Sequence, residues 1–288
     1  MVLKAKAAKV LALMVLTFAA ATSAQAFEKP VLIAEQGSFA AGGTVVRSAG
    51  SFNYSVPSDQ SGQSLHGDHA YVFYQKPAKA HKYPLVFLHG AGQSAKTWET
   101  TPDGRDGFQN IFLGKGYSTY LIDQPRRGRA GQSTAAENIS AATYDQLWFS
   151  NFRLGNWPDF FEGVQFSKNQ EALNQFFRQM TPNTGAFDEN IISAAVAAVF
   201  DKSGPGILVT HSQGGGPGWL AAIKNPEIRA VVAYEPGSGF IFPAGEVPEP
   251  LETTSPFGAL AGREIAFRLR GFMSMAAVSV LIILRAVY

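Results

Sequence analysis

The sequence predicts an α/β fold, a mostly parallel sheet with helices on its faces. Apolar runs that read as strands alternate with stretches that read as helices, which is the pattern of such a sheet. One run, PLVFL (84–88), is continuously apolar, as expected of a strand covered on both sides. A third observation is ILVTHSQGGGPGWLAA (207–222), in which one serine stands between an apolar strand and a glycine cluster that opens a helix.

Taken in order, VLIAE (31–35) and GTVVRS (43–48) read as short strands separated by a glycine-bearing turn. AYVFYQ (70–75) and PLVFLHG (84–90) follow as strands. GFQNIFLGKG (107–116) fits a helix ending at glycine, and YSTYLID (117–123) returns as a strand. GPGILVTH (204–211) and RAVVAYEPG (229–237) are two more apolar strands, with the helix WLAAIKN (219–225) between them. Residues 134–203 interrupt the alternation. They hold Trp148, Trp157 and many phenylalanines, with helices expected at 167–180 and 188–200. That aromatic density favours a cap over the sheet's active edge, and the alternative is one ordinary crossover helix with long loops.

Of the 288 residues, the first 26 read as a secretory signal peptide. Lys4, Lys6 and Lys9 precede the apolar VLALMVLTFAAAT, and Ala24-Gln25-Ala26 supplies the small-x-small cleavage pattern. The apolar run is short for a membrane span of ~20 residues. The expected location is periplasmic or secreted. Without that segment the chain has 21 Lys+Arg against 22 Asp+Glu, so charge gives no support for a nucleic-acid partner. The absence of cysteine excludes disulfides, thiol nucleophiles and thiolate metal sites.

THSQG (210–214) departs from G-x-S-x-G at its first position, where Thr210 stands for glycine. Its context carries the signal: a strand, a sharp turn holding Ser212, and a helix whose N-terminus points at a developing oxyanion. HGAG (89–92) follows PLVFL directly, where such folds place a second oxyanion donor. The expected backbone donors are Ala91 and Gln213. Both signals, in this order and each after an apolar strand, predict an α/β-hydrolase sheet. Glu235 closes the strand AVVAYE, one strand beyond the serine, where a carboxylate could orient an imidazole. The imidazole itself is missing from its expected place. His66, His69, His81, His89 and His211 all precede Ser212, whereas the usual chain order is Ser, acid, His. His66 and His69 flank Asp68 in a polar loop, and neither a metal site nor a cofactor is expected there or elsewhere.

The stretch PLVFLHGAGQSAKTWETTPDGRDGFQNIFLGKGYSTYLIDQPRRGRAGQS (84–133) resembles a small family of exported bacterial α/β-hydrolase esterases, one of which acts on esters of halogenated cyclic compounds. GSFAAGGTVV, HGDHAYVFYQ, FRLGNWPDFFEGVQF and VVAYEPG are similar to it as well, so the resemblance covers about residues 31–258. It implies Ser212 as nucleophile, Glu235 as the acid, Ala91 and Gln213 as oxyanion donors, and a small-molecule ester as substrate. Arg126, Arg127 and Arg129 belong to the resembling stretch and read as structural loop charges. In the known esterase a cysteine pair occupies the places of Ala91 and Gly92, so nothing resting on thiols carries over.

From Arg263 onward, REIAFRLRGFMSMAAVSVLIILRAVY departs from the resemblance and holds no histidine. The expected organisation is a signal peptide (1–26), a hydrolase domain (27–262) with a cap insertion (134–203), and a divergent apolar and basic tail (263–288). The final part of the fold is then expected to be missing. Membrane contact by the tail is not favoured, because FMSMAAVSVLIIL is short of a span. The sequence leaves the oligomeric state open. The alternatives to a serine esterase are a non-catalytic small-molecule binder on the same scaffold and a truncated or frame-shifted gene product.

Overall fold

The computed structural model describes residues 30–135, 137–237, 240–243, 245–247, 249, 262–265 and 279–283. The expected signal peptide lies outside the described residues. Along the chain, β1 (Ile33–Ala41), β2 (Thr44–Arg47), β3 (Ser64–Gly67), β4 (Ala70–Pro77) and β5 (Leu85–Leu88) come first. Then follow a 3-10 turn (Ala95–Trp98), α1 (Phe108–Gly114), β6 (Thr119–Asp123), α2 (Asp145–Asn151), β7 (Gly155–Asn156) and β8 (Asp159–Phe160). After α3 (Gln170–Arg178) and α4 (Glu189–Ser203) come β9 (Gly206–His211), α5 (Gly215–Lys224) and β10 (Ile228–Tyr234). Three short strands complete the described chain: β11 (Phe240–Pro243), β12 (Gly262–Ile265) and β13 (Ser279–Ile283).

Seven strands form the central sheet in the order β1-β4-β6-β5-β9-β10-β13. Only β4 runs against its neighbours; β6, β5, β9, β10 and β13 are mutually parallel. The fold is therefore that of an α/β hydrolase, as the alternation of elements predicts. β1 begins later than VLIAE and runs on through GSFAA (37–41), which pairs with β4 along its whole length and puts Phe39 and Ala41 on the core side.

The pleat sends neighbouring side chains to opposite faces, and both faces are covered. Val86 and Leu88 pack with Ile122, Leu208 and the helices α4 and α5, whereas Leu85 and Phe87 pack with Leu121, Val209, Trp98 and Phe108. That explains the unbroken apolar run of β5, where all four residues are buried.

The segment expected as a cap divides in two. Helix α4 belongs to the main core, with Ile192, Val196, Val199 and Phe200 buried against the sheet. Its start is set by the Asp188 carboxylate, which accepts from the N–H groups of Asn190 and Ile191, and Gly204 follows it with φ 75°. Residues 148–180 instead gather their own apolar cluster around Phe149, Leu154, Leu173 and Phe176. Both packings satisfy an aromatic-rich sequence, so composition alone does not separate them.

The tail also differs from expectation. Residues 279–283 pair in parallel with β10 over Ala230–Tyr234 and form the edge of the main sheet. The strand expected to be missing after β10 is thus supplied from within the divergent tail. The apolar SVLII is suited to that place by its β-branched content.

Candidate active site

Strand β9 ends at His211, and Ser212 follows with φ 50°, in the left-handed region that a non-glycine residue rarely adopts. A short 3-10 turn over Ser212–Gly214 leads into α5. The close approach of α5 to β9 depends on small residues. A Cβ on Gly218 would lie 2.6 Å from Thr210 Cγ2, and one on Gly214 would lie 2.7 Å from the His89 carbonyl oxygen. The first of these contacts explains the departure at Thr210. Room that the usual motif makes with a glycine on the strand is made here by Gly218 on the helix.

The HGAG loop lies against this elbow. A Cβ on Gly90 would stand 2.9 Å from Ser212 Cβ and 3.1 Å from His211 Nδ1. The loop's carbonyls are tied down from outside: Arg127 Nη1 donates to Gly90 O at 3.0 Å, and Thr181 donates its N–H to Gly92 O at 2.9 Å and its hydroxyl to Gln93 O at 3.0 Å. Trp148 of α2 packs over Gly92, where a Cβ would come within 2.5 Å of its ring. Among the described residues the N–H of Ala91 has no acceptor. Ala91 and Gln213 line one cleft of about 840 Å³, together with Arg127, Trp148, Phe177 and Met180. That size is ordinary for a small-molecule site, ~300–1,000 Å³.

Glu235 sits directly after β10, with φ 43°. Its loop also meets the elbow: Gly237 N–H donates to Ser212 O at 2.9 Å, and a Cβ on Gly237 would lie 3.3 Å from Ser212 Oγ. The structure therefore brings the loops of Ser212, Ala91 and Glu235 together. The Glu235 carboxylate is held by Arg153 Nη1 at 2.5 Å, a partner 82 residues away that the sequence reading did not anticipate. Both side chains are partly exposed, so the pair is worth at most about 1 kcal/mol.

His89 is fully buried, and both ring nitrogens are used. Its Nε2 accepts from Gln124 N–H at 3.3 Å, which leaves Nδ1–H to donate to Gly90 O at 3.0 Å. Burial, reinforced by the nearby Arg127 charge, lowers its pKa to about 4. The folded value lies below the ordinary 6.5, so His89's stabilising effect is present above pH 6.5 and lost as pH falls towards 4. The urea midpoint is expected to fall across that window, and less steeply in His89→Asn. A midpoint flat from pH 6.5 to 4 would contradict the assignment.

His211 is half-buried between Trp98 and Phe152, with Nδ1 3.3 Å from Gln93 Oε1. Burial lowers its pKa, and the Glu235 charge works in the opposite direction. His66 and His69 flank a carboxylate with a different task, because Asp68 is buried against Arg126. Among the described residues no group of three or more potential metal ligands occurs.

The sequence pattern of the Alpha/beta hydrolase family matches residues 85–284, well into the tail that was expected to depart. The chain is 32% identical over 166 residues to "Probable secreted lipase phiG" of Fungal sp. (strain ATCC 74256). That match takes in 54% of this chain and 45% of the relative, so the chain spans less than half the length of the lipase it resembles. Among solved structures, that of a novel bacterial esterase is similar at 29% identity with a TM-score of 0.66, over 89% of this chain and 76% of that one. With its serine elbow on a seven-stranded sheet and a family match over residues 85–284, the chain belongs to the alpha/beta hydrolase family.

Proposed function

We propose that the protein is an exported carboxylester hydrolase with Ser212 as its nucleophile. The observation that carries this reading is the left-handed Ser212 at the strand–helix junction, with the HGAG and Glu235 loops packed against it. Ser212 Oγ attacks the ester carbonyl, and the N–H groups of Ala91 and Gln213 hold the negative charge on oxygen. The C–O bond to the alcohol breaks, the alcohol leaves with a proton, and water then releases the acid from the serine ester.

A proton acceptor is still required. His89 has no free nitrogen for the task. His211 directly precedes Ser212, and its Nδ1 stands 3.3 Å from Gln93 Oε1, an oxygen that also accepts from Gly90 N–H, so Nδ1 carries the hydrogen, Nε2 is the basic nitrogen, and burial favours the neutral ring. We assign His211 this role, with Glu235 supplying a nearby negative charge. Turnover is then slower than that of a triad whose histidine is held directly by the acid.

Residues 134–187 form the proposed cap, with Trp148 over the oxyanion loop. Export rests on the Lys-apolar-small pattern of residues 1–26 and agrees with the "secreted" in the lipase relative's name. The substrate is a small-molecule ester, in keeping with the esterase and lipase relatives. The Arg153–Glu235 ion pair favours a second reading, a non-catalytic binder of the same ligands, because it occupies the carboxylate that would orient an imidazole. Hydrolysis of p-nitrophenyl acetate by residues 27–288 separates the two. The esterase reading expects saturable turnover above the buffer rate, and the buffer rate from folded protein would leave the binder.

A further inference from the structure

Three arginines close together in sequence, Arg126, Arg127 and Arg129, have unlike surroundings. Arg126 is paired with Asp68 at 2.8 Å, and Arg129 with Asp123 at 2.8 Å. Arg127 is the most deeply buried of the three, at 2% exposure, and among the described residues it has no carboxylate partner. Its Nε and Nη2 donate to Asn183 Oδ1 and its Nη1 donates to Gly90 O, all neutral acceptors. A guanidinium carries five N–H groups, so among the described residues two have no acceptor. Burial pushes its pKa down to about 10, which still leaves it cationic at neutral pH.

A buried charge without a counter-charge is costly even after relaxation. Pinning the Gly90 and Asn183 oxygens requires hydrogen-bond donors but no net charge. Arg127 also forms part of the wall of the cleft that Ala91 and Gln213 line. The rest of that wall is largely apolar or uncharged, with Trp148, Phe177, Met180 and Pro182, and its two acids, Glu137 and Asp145, are exposed. A ligand in the cleft thus meets one desolvated cation beside the oxyanion donors.

We propose that Arg127 recognises a carboxylate on the substrate, so that the cleft selects esters bearing a free carboxylate, such as the monoester of a short dicarboxylic acid. A carboxylate supplies the missing counter-charge and two acceptor oxygens for those two N–H groups. The proposal rests on the ester-hydrolase reading of the same cleft. It goes further in naming the substrate class.

The test is a binding measurement that needs no turnover. Monomethyl glutarate and dimethyl glutarate are titrated calorimetrically into the full chain carrying Ser212→Ala, at neutral pH and low salt. The monoanion is expected to bind about tenfold or more tightly than the neutral diester, the scale of a hydrogen-bonded charge. Adding Arg127→Met should abolish the difference, whereas Arg127→Lys, which keeps the charge, should retain part of it. Equal affinity for the two esters with Arg127 present would overturn the proposal. So would a preference that survives in folded Arg127→Met, or one wholly lost in folded Arg127→Lys. Should Arg127→Met not fold, the comparison of the two esters and the lysine variant still decide. Absence of esterase turnover would count against the hydrolase reading and leave this binding result standing.

Discussion

Asp68→Ala is expected to destabilise the domain by about 3–5 kcal/mol, because it strands a buried cation. Asp68 is 1% exposed and accepts from Arg126 Nε at 2.8 Å and Nη2 at 3.1 Å, as well as from Thr134 N–H and its hydroxyl. Burial alone would raise its pKa, but the hydrogen bonds from Arg126 and Thr134 outweigh that and hold it below the ordinary value. Arg126 in turn donates to Ala186 O, so the pair joins the β3–β4 turn to the loop before α4. The residue also has φ 59°, which asparagine tolerates better than alanine. Asp68→Asn should therefore lose less than Asp68→Ala. The exposed pair Asp103–Arg105 is the control, expected to cost under about 1 kcal/mol. Urea midpoints measure all three, and an Asp68→Ala midpoint no lower than that of Asp103→Ala would refute the assignment.

Ser212→Ala is expected to lower kcat/KM for p-nitrophenyl esters by at least about 10²-fold, the lower end of what proton transfer to a positioned base contributes. In the proposed reaction the serine forms and breaks the covalent bond, so its removal also removes the base's task. What remains is binding and the oxyanion donors, which alone retain some catalysis. Glu235→Gln should cost less than Ser212→Ala, since Glu235 is held by Arg153 rather than by an imidazole. Equal losses would indicate a directly coupled pair. No loss with Ser212→Ala would place the chemistry elsewhere.

Much of this fold was legible because its signals are local. PLVFL is buried on both faces, as its unbroken apolar run requires, and the order strand, serine, glycines, helix appears at residues 206–224 as read. The adjacency of Ser212, HGAG and the loop of Glu235 follows from strand order β5-β9-β10, which that reading implies. Less legible were features set by distant partners. Thr210 reads as a flaw in the motif until Gly218 is seen to make room for it. Arg126, Arg127 and Arg129 look alike in sequence and differ in whether a carboxylate faces them. Nothing near Arg153 marks it as the partner of Glu235. Helix α4 and residues 148–180 share one aromatic and aliphatic vocabulary, and only packing assigns the first to the main core and the second to a cluster of its own. For the tail, composition suggested a break, whereas SVLII pairs with β10 by main-chain bonds that any apolar strand could make.

The measurement that bears most directly on Ser212 as nucleophile is covalent labelling by a fluorophosphonate, followed by mass spectrometry of the modified peptide. An activated serine beside oxyanion donors displaces fluoride and is labelled, whereas ordinary surface serines are not. The expected result is one label per chain on Ser212, absent from Ser212→Ala. Folded protein that takes no label, or takes it equally after Ser212→Ala, would contradict a nucleophile at this elbow.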